Sequence, residues 1–219
     1  MTDFLNISDT IDEKREFNDK VEKDTQGIRQ DLTKIALKLQ KQGYFNCDEQ
    51  LETIKNKLDT LFTEVGDTKK IFHIDSLAEA FTCVELFVFY LKHAKYAQET
   101  EGQTSLLLKP FKQRSLTWTT GETWVAAVCQ LTSFLGEMAL TEAINKNGAP
   151  VKQIFDLISE IWEALQNHLK IKRNCPLRKH MDPVKWRKRD VQKLCYDLML
   201  IEEAPENNDN NAGSQNGDN

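Results

Sequence analysis

The sequence predicts an all-α fold: a bundle of about six to seven helices, closed by a disordered C-terminal tail. Nine Gly and five Pro in 219 residues leave few breaks in the chain, and abundant Leu, Lys, Glu and Ala favour helix over strand. Apolar residues recur three and four apart through every long segment, the spacing that lines one face of a helix. Alternation of the strand kind is confined to a short stretch, Ser105–Leu108, and no internal repeat is visible. At this length one core suffices, so residues 1–201 read as a single helical domain and 202–219 as the tail.

Thr10 and Glu13 form a capping-box pair that predicts the start of the first helix. Its stripe, Val21, Ile28, Leu32, Ile35 and Leu39, runs to Gly43 and includes seven-residue steps suited to antiparallel packing. The second helix carries Leu51, Ile54, Leu58, Leu61, Phe62 and Val65, and Gly66 closes it. Asp75 is the expected cap of the third. Between Phe81 and Leu91 that helix is apolar nearly all round, which places it in a core or a subunit contact. Gln98 to Trp118 loses periodicity and reads as a long connection. Thr119 with Glu122 predicts the start of the fourth helix, marked by Trp124, Val128, Leu131, Leu135 and Met138, and Asn147-Gly148 breaks it. Pro150 opens the fifth, striped by Val151, Ile154, Phe155, Ile158, Trp162, Leu165 and Leu169. The tail is rich in Asn, Gly, Asp and Glu and has no apolar anchors.

Five cysteines, scattered and without a CxxC pair, read as reduced thiols of an intracellular protein. The N-terminus shows no secretory pattern. The strongly apolar run Phe81–Leu91 is too short to span a bilayer, so no membrane association is expected. His73, His93, His168 and His180 show no ligand spacing to Cys or acids, and no Gly-rich phosphate loop is present.

Charge is distributed unevenly. The net charge is −5, yet Lys170–Lys193 holds ten cations against Asp182 and Asp190, a formal +8 that leaves −13 elsewhere. A split this sharp points to a polyanion or an acidic partner chain. The same segment enters a helix with Asp182 as expected N-cap and Pro183 at the first helical position. Val184, Val191, Leu194, Cys195 and Leu198 form its apolar stripe, and Lys185, Lys188, Arg189 and Lys193 lie away from it. The expected phosphate contacts are Lys172, Arg173, Arg178, Lys179, Lys185, Arg187, Lys188, Arg189 and Lys193, with Trp186 and His180 as stacking groups.

The segment CPLRKHMDPVKWRKRDVQKLCYDLML resembles the C-terminal helix of the translin superfamily, through Leu177-Arg178-Lys179, Asp182, Lys185–Lys188 and Tyr196-Asp197-Leu198. The likeness extends more weakly to Ile11-Asp12-Glu13, Phe87–Leu91 and Glu137-Met138 through Ile144-Asn145. It implies a helical bundle assembling into closed homo- or hetero-oligomers with a family partner, binding single-stranded RNA or DNA, and a place in small-RNA processing. It implies two subunit types, of which the one resembling translin-associated factor X binds Mg²⁺ through acids and cuts RNA. In the register of Tyr90-Leu91-Lys92, the first acid pair of such a subunit falls on Ala80 and Cys83. The second falls on Gln130 and Phe134, or on Ser133 and Glu137. Glu85 and Glu137 are then the candidate carboxylates of an Mg²⁺-dependent ribonuclease, and the plainer expectation gives Glu85 a Lys or Arg partner. A second basic-aromatic patch of the translin type is reduced to Lys69, Lys70 and His73. The expectation is a binding subunit without cofactor or metal, cytoplasmic, with KWRKR available as a nuclear-import signal. A helical scaffold for an acidic partner is the remaining alternative.

Overall fold

Among the described residues the chain forms six α-helices and no strand: α1 (Thr2–Gln42), α2 (Asp48–Val65), α3 (Asp75–Glu99), α4 (Gly121–Ile144), α5 (Gly148–His168) and α6 (Arg178–Glu203). The structure is a computed structural model. It describes residues 2–66, 74–99, 118, 120–168 and 177–203, with side chains over 11–66, 74–93, 118, 120–167 and 177–201. Lys69–His73, Ser105–Leu108, Thr119, Leu169 and the segment 204–219 lie outside the described residues.

The apolar stripes fall where their spacing puts them, but several helix starts do not. α1 is 41 residues long and begins at Thr2, so Thr10 and Glu13 lie inside it rather than at its cap. It ends as expected. Gly43, at φ 72°, takes the left-handed conformation that glycine tolerates, and its N–H returns to the Leu39 carbonyl at 2.9 Å. At α3 the first carbonyl to accept is that of Ile74, from Leu77 and Ala78, so Asp75 stands one position inside the helix. There its charge still meets the positive end of the helix dipole. The α4 cap is Thr120 rather than the Thr119–Glu122 pair: its hydroxyl accepts from the Thr123 N–H at 3.1 Å. On α5 the fully buried stripe includes Leu157 and Ile161, while Phe155 and Trp162 sit half-buried on its flank.

Pairwise contacts fix the directions of the helices. Lys20 pairs with Glu64 at 2.9 Å and Lys57 with Asp31 at 3.2 Å, so α1 and α2 are antiparallel over Val21, Ile28, Leu58 and Leu61. Phe87 and Phe134 meet at 5.3 Å between ring centroids. Ala80 faces Gln130 across one groove, and Tyr90 lies by Glu142. α3 and α4 are therefore parallel. A parallel neighbour cannot be reached by a tight turn, which accounts for the long separation between Glu99 and Gly121. Trp118, just before α4, is 8 % exposed and ties that end together. Its indole N–H donates to Asp59 at 2.7 Å, and the ring stacks on Phe62 at 5.5 Å and meets Phe81 edge-on at 5.6 Å.

α4 is the helix around which the others gather, packing on α3, α5 and α6. Among the described residues it alone is long and apolar enough to cross a membrane by length and composition, and 61 % of that stretch is buried inside the fold. Packing on several sides accounts for the composition. The Phe81–Leu91 stretch of α3, expected in a core or a subunit contact, is core: Phe81, Cys83 and Phe87 are wholly buried by the chain's own helices. No disulfide links the described cysteines, and burial pushes the thiols up, that of Cys129 to about 12.

α6 packs on α4 at Gly136, where the Arg187 side chain lies in the space a Cβ would take. Gly136→Val is therefore expected to destabilise the protein by about 1–3 kcal/mol through overpacking. Thermal melts read this as a drop of several degrees, and adding Arg187→Ala to the same chain recovers most of the loss.

Candidate nucleic-acid interface

α6 begins before the cap that its sequence advertises. The Leu177 carbonyl accepts from the His180 and Met181 N–H groups at 3.0 and 3.1 Å, and the helix runs unbroken through Asp182 and Pro183. Asp182 is thus not the N-cap, and Pro183 lies beyond the first turn, where it has no N–H to return to Lys179. Tertiary packing outweighs that loss: starting one turn earlier places Leu177 and buried Met181 on the core. The resulting stripe steps alternately by four and three through Leu177, Met181, Val184, Lys188, Val191, Cys195 and Leu198, a seam laid between α4 and α5.

This seam divides the predicted phosphate contacts. Lys188, expected away from the stripe, stands on it. Its side chain is 26 % exposed, and Nζ lies 4.0 Å from Glu163 of α5. Arg187 spends its aliphatic stem over Gly136 of α4. Long cationic side chains can cover apolar surface while their heads reach outward, so both serve the internal contact first. Lys172 and Arg173 lie outside the described residues. Arg178, Lys179, Lys185, Arg189 and Lys193 are exposed. Of these, Arg178 has Asp182 at 3.8 Å one turn on.

What remains is a ridge. Lys185, Arg189 and Lys193 follow at four-residue intervals, so each stands one turn above the last. Trp186 beside it is 58 % exposed, with Lys185 Nζ 6.0 Å from its ring centre, and Tyr196 beyond Lys193 is 57 % exposed. Aromatic faces interleaved with cations on one exposed helix can stack bases and neutralise phosphates.

A concave feature lies near the start of the same helix. α1, α3, α4 and the start of α6 enclose a groove of about 490 Å³, lined in part by Arg29, Glu79, Gln130, Ser133, Lys179 and His180. Arg29 donates to the Ser76 hydroxyl at 3.0 Å, holding α1 to α3 at its rim. Burial pushes the half-buried Glu79 carboxyl up, against the opposing pull of His180 and Lys179. Of the four histidines, His180 is thus brought beside an acid, which no spacing in the sequence foretold. Of the positions given by the translin-like register, Ala80, Gln130, Ser133 and Phe134 also line this groove, while Cys83 is buried in the core.

Glu85 is half-buried on α3, and exposed Glu137 accepts from Gln40 at 2.6 Å. Among the described residues, no three His, Cys, Asp or Glu side chains gather as a metal site would require. The chain matches no family model and no curated protein.

The raised Glu79 carboxyl has a pH signature. Its folded value lies above its unfolded one, so its relative stabilisation is fullest at pH below the ordinary carboxylate value and is lost as pH rises through the folded value. Glu79→Gln, a permanently neutral replacement, should therefore raise the melting temperature at neutral pH by roughly 1–3 °C, small because the site is half open to water. The gain should close as pH falls to about 4, as melting curves across that range will show.

Proposed function

We propose that this protein is a single-stranded nucleic-acid-binding subunit of an oligomeric, translin-like assembly acting in small-RNA processing. The observation that carries the reading is the exposed ridge Lys185–Arg189–Lys193 with Trp186 and Tyr196 beside it. The opposite face of the same helix is occupied by α4 and α5. Cations spaced a turn apart release counterions when they meet phosphates, and the two ring faces take bases without reading sequence. The resemblance of the C-terminal segment to the translin superfamily supports the same reading.

Assembly draws support from the end of α6. Met199, Leu200 and Ile201 are all about half exposed there, and Leu140 and Ile144 on the last turns of α4 are exposed as well. Apolar side chains in this number at one end of a bundle favour burial against another subunit.

Fluorescence anisotropy with labelled single-stranded RNA and DNA oligonucleotides tests the proposal. Affinity should fall linearly with the logarithm of salt concentration. Replacing Lys185, Arg189 and Lys193 together by Ala should reduce the slope by about 2, and Trp186→Ala should weaken binding by about 1–3 kcal/mol. Salt-independent binding, or none at low salt, would refute it. Cleavage of labelled RNA that requires Mg²⁺ and disappears in Glu137→Ala would replace it with the ribonuclease reading. Co-purification of an acidic protein without oligonucleotide binding would replace it with the scaffold.

A further inference from the structure

The groove at the head of α6 has three chemically different parts. Its inner surface is apolar, from Leu32, Ala36, Val84 and Phe134. Its α1 and α6 rims bring Arg29, Lys179 and His180. Between them stand groups able to read an edge: Glu79, Ser133 and Gln130. Among the described residues, none donates a hydrogen bond to the Glu79 carboxylate, which is half-buried and offers acceptors only. A flat apolar body, an edge of N–H donors and an anionic end are the three parts of a nucleotide. The volume, about 490 Å³, lies within the range of small-molecule sites.

We infer that this groove takes one nucleotide of a bound single strand, with its base on the Leu32–Ala36–Val84–Phe134 surface, its edge toward Glu79 and Ser133, and its phosphate between Arg29, Lys179 and His180. The inference rests on the strand-binding reading of α6 and gives that reading a point of base recognition. Lys179 and Trp186, seven residues apart, stand on the same flank of α6. A strand stacked on Trp186 therefore reaches Lys179 and the groove mouth along one side of the helix. The ridge itself is indifferent to sequence, because ring faces and phosphates are common to every nucleotide. The groove is different: a base turned into it exposes its Watson–Crick edge, the means by which unpaired RNA is read. An ionised Glu79 favours bases that present donors and disfavours those that present a lone pair.

Titrating the full-length protein with the four ribonucleoside 5′-monophosphates at low salt, following the His180 imidazole resonance, tests the inference directly. The wild type should bind with unequal affinities. Ser133→Trp, which fills the groove, should weaken binding at least about tenfold with the fold intact by circular dichroism. Glu79→Gln exchanges one acceptor for a donor, and should change the order of preference by about tenfold between the best and worst base. The Lys185, Arg189 and Lys193 triple-Ala protein should lose oligonucleotide affinity yet keep the wild-type order of preference among the four monophosphates. No response at His180, or identical titrations for wild type, Ser133→Trp and Glu79→Gln, would overturn the inference even where oligonucleotides bind in a salt-dependent way. Monophosphate binding without oligonucleotide binding would instead overturn the ridge and leave the groove standing.

Discussion

The seating of α6 on α4 at Gly136 decides which side chains of the basic helix meet solvent. A glycine at that point lets the stem of Arg187 lie flat on α4, and the seam through Val184 and Val191, both almost wholly buried, follows from it. Turning α6 by one residue, about 100°, would exchange the seam for the ridge and bury Lys185 and Arg189 against α4. Leaving unpaired charges in such a place is prohibitive, so the apolar stripe and the cationic ridge enforce one another. The position of the charges is a packing result before it is an electrostatic one.

Much of the fold was legible in the residues. The seven-residue steps of α1, the stripe of α2 and the all-round apolar stretch of α3 each report their burial directly, because side-chain period and helical period coincide. Helix starts were less legible, and Asp182-Pro183 shows why. Its local chemistry is that of a helix start, worth about 1 kcal/mol, but Leu177 and Met181 one turn upstream offer apolar burial of larger worth. The charge of α6 was countable from sequence while its allocation was not. A tally cannot distinguish Lys188 on the seam from Lys185 on the ridge when both have long stems. The groove was illegible for a plainer reason: Arg29, Glu79, Gln130 and His180 belong to four helices, and no local period links them.

The ion pairs between α1 and α2 contribute less to the fold than their number suggests. Lys20 with Glu64 and Lys57 with Asp31 are partly exposed, and such pairs contribute little in ordinary salt. They choose register where Val21, Ile28, Leu58 and Leu61 supply the driving force. Their further effect is to neutralise lysines outside α6.

The shared direction of α3 and α4 bears on how the chain assembles. α4, α5 and α6 are consecutive, so the α4–α5 and α5–α6 contacts close small loops, and α5 then carries α6 to Gly136 of α4. The Phe87–Phe134 contact has to close the whole span between α3 and α4, at an entropic cost that grows with the logarithm of that span. The three C-terminal helices are thus placed to form a kinetic nucleus, with α3 docking afterwards and Trp118 latching it to α2. On that order of events, mutations at Phe87 would speed unfolding more than they slow folding, while those at Val191 would do the reverse, a contrast that stopped-flow refolding can measure.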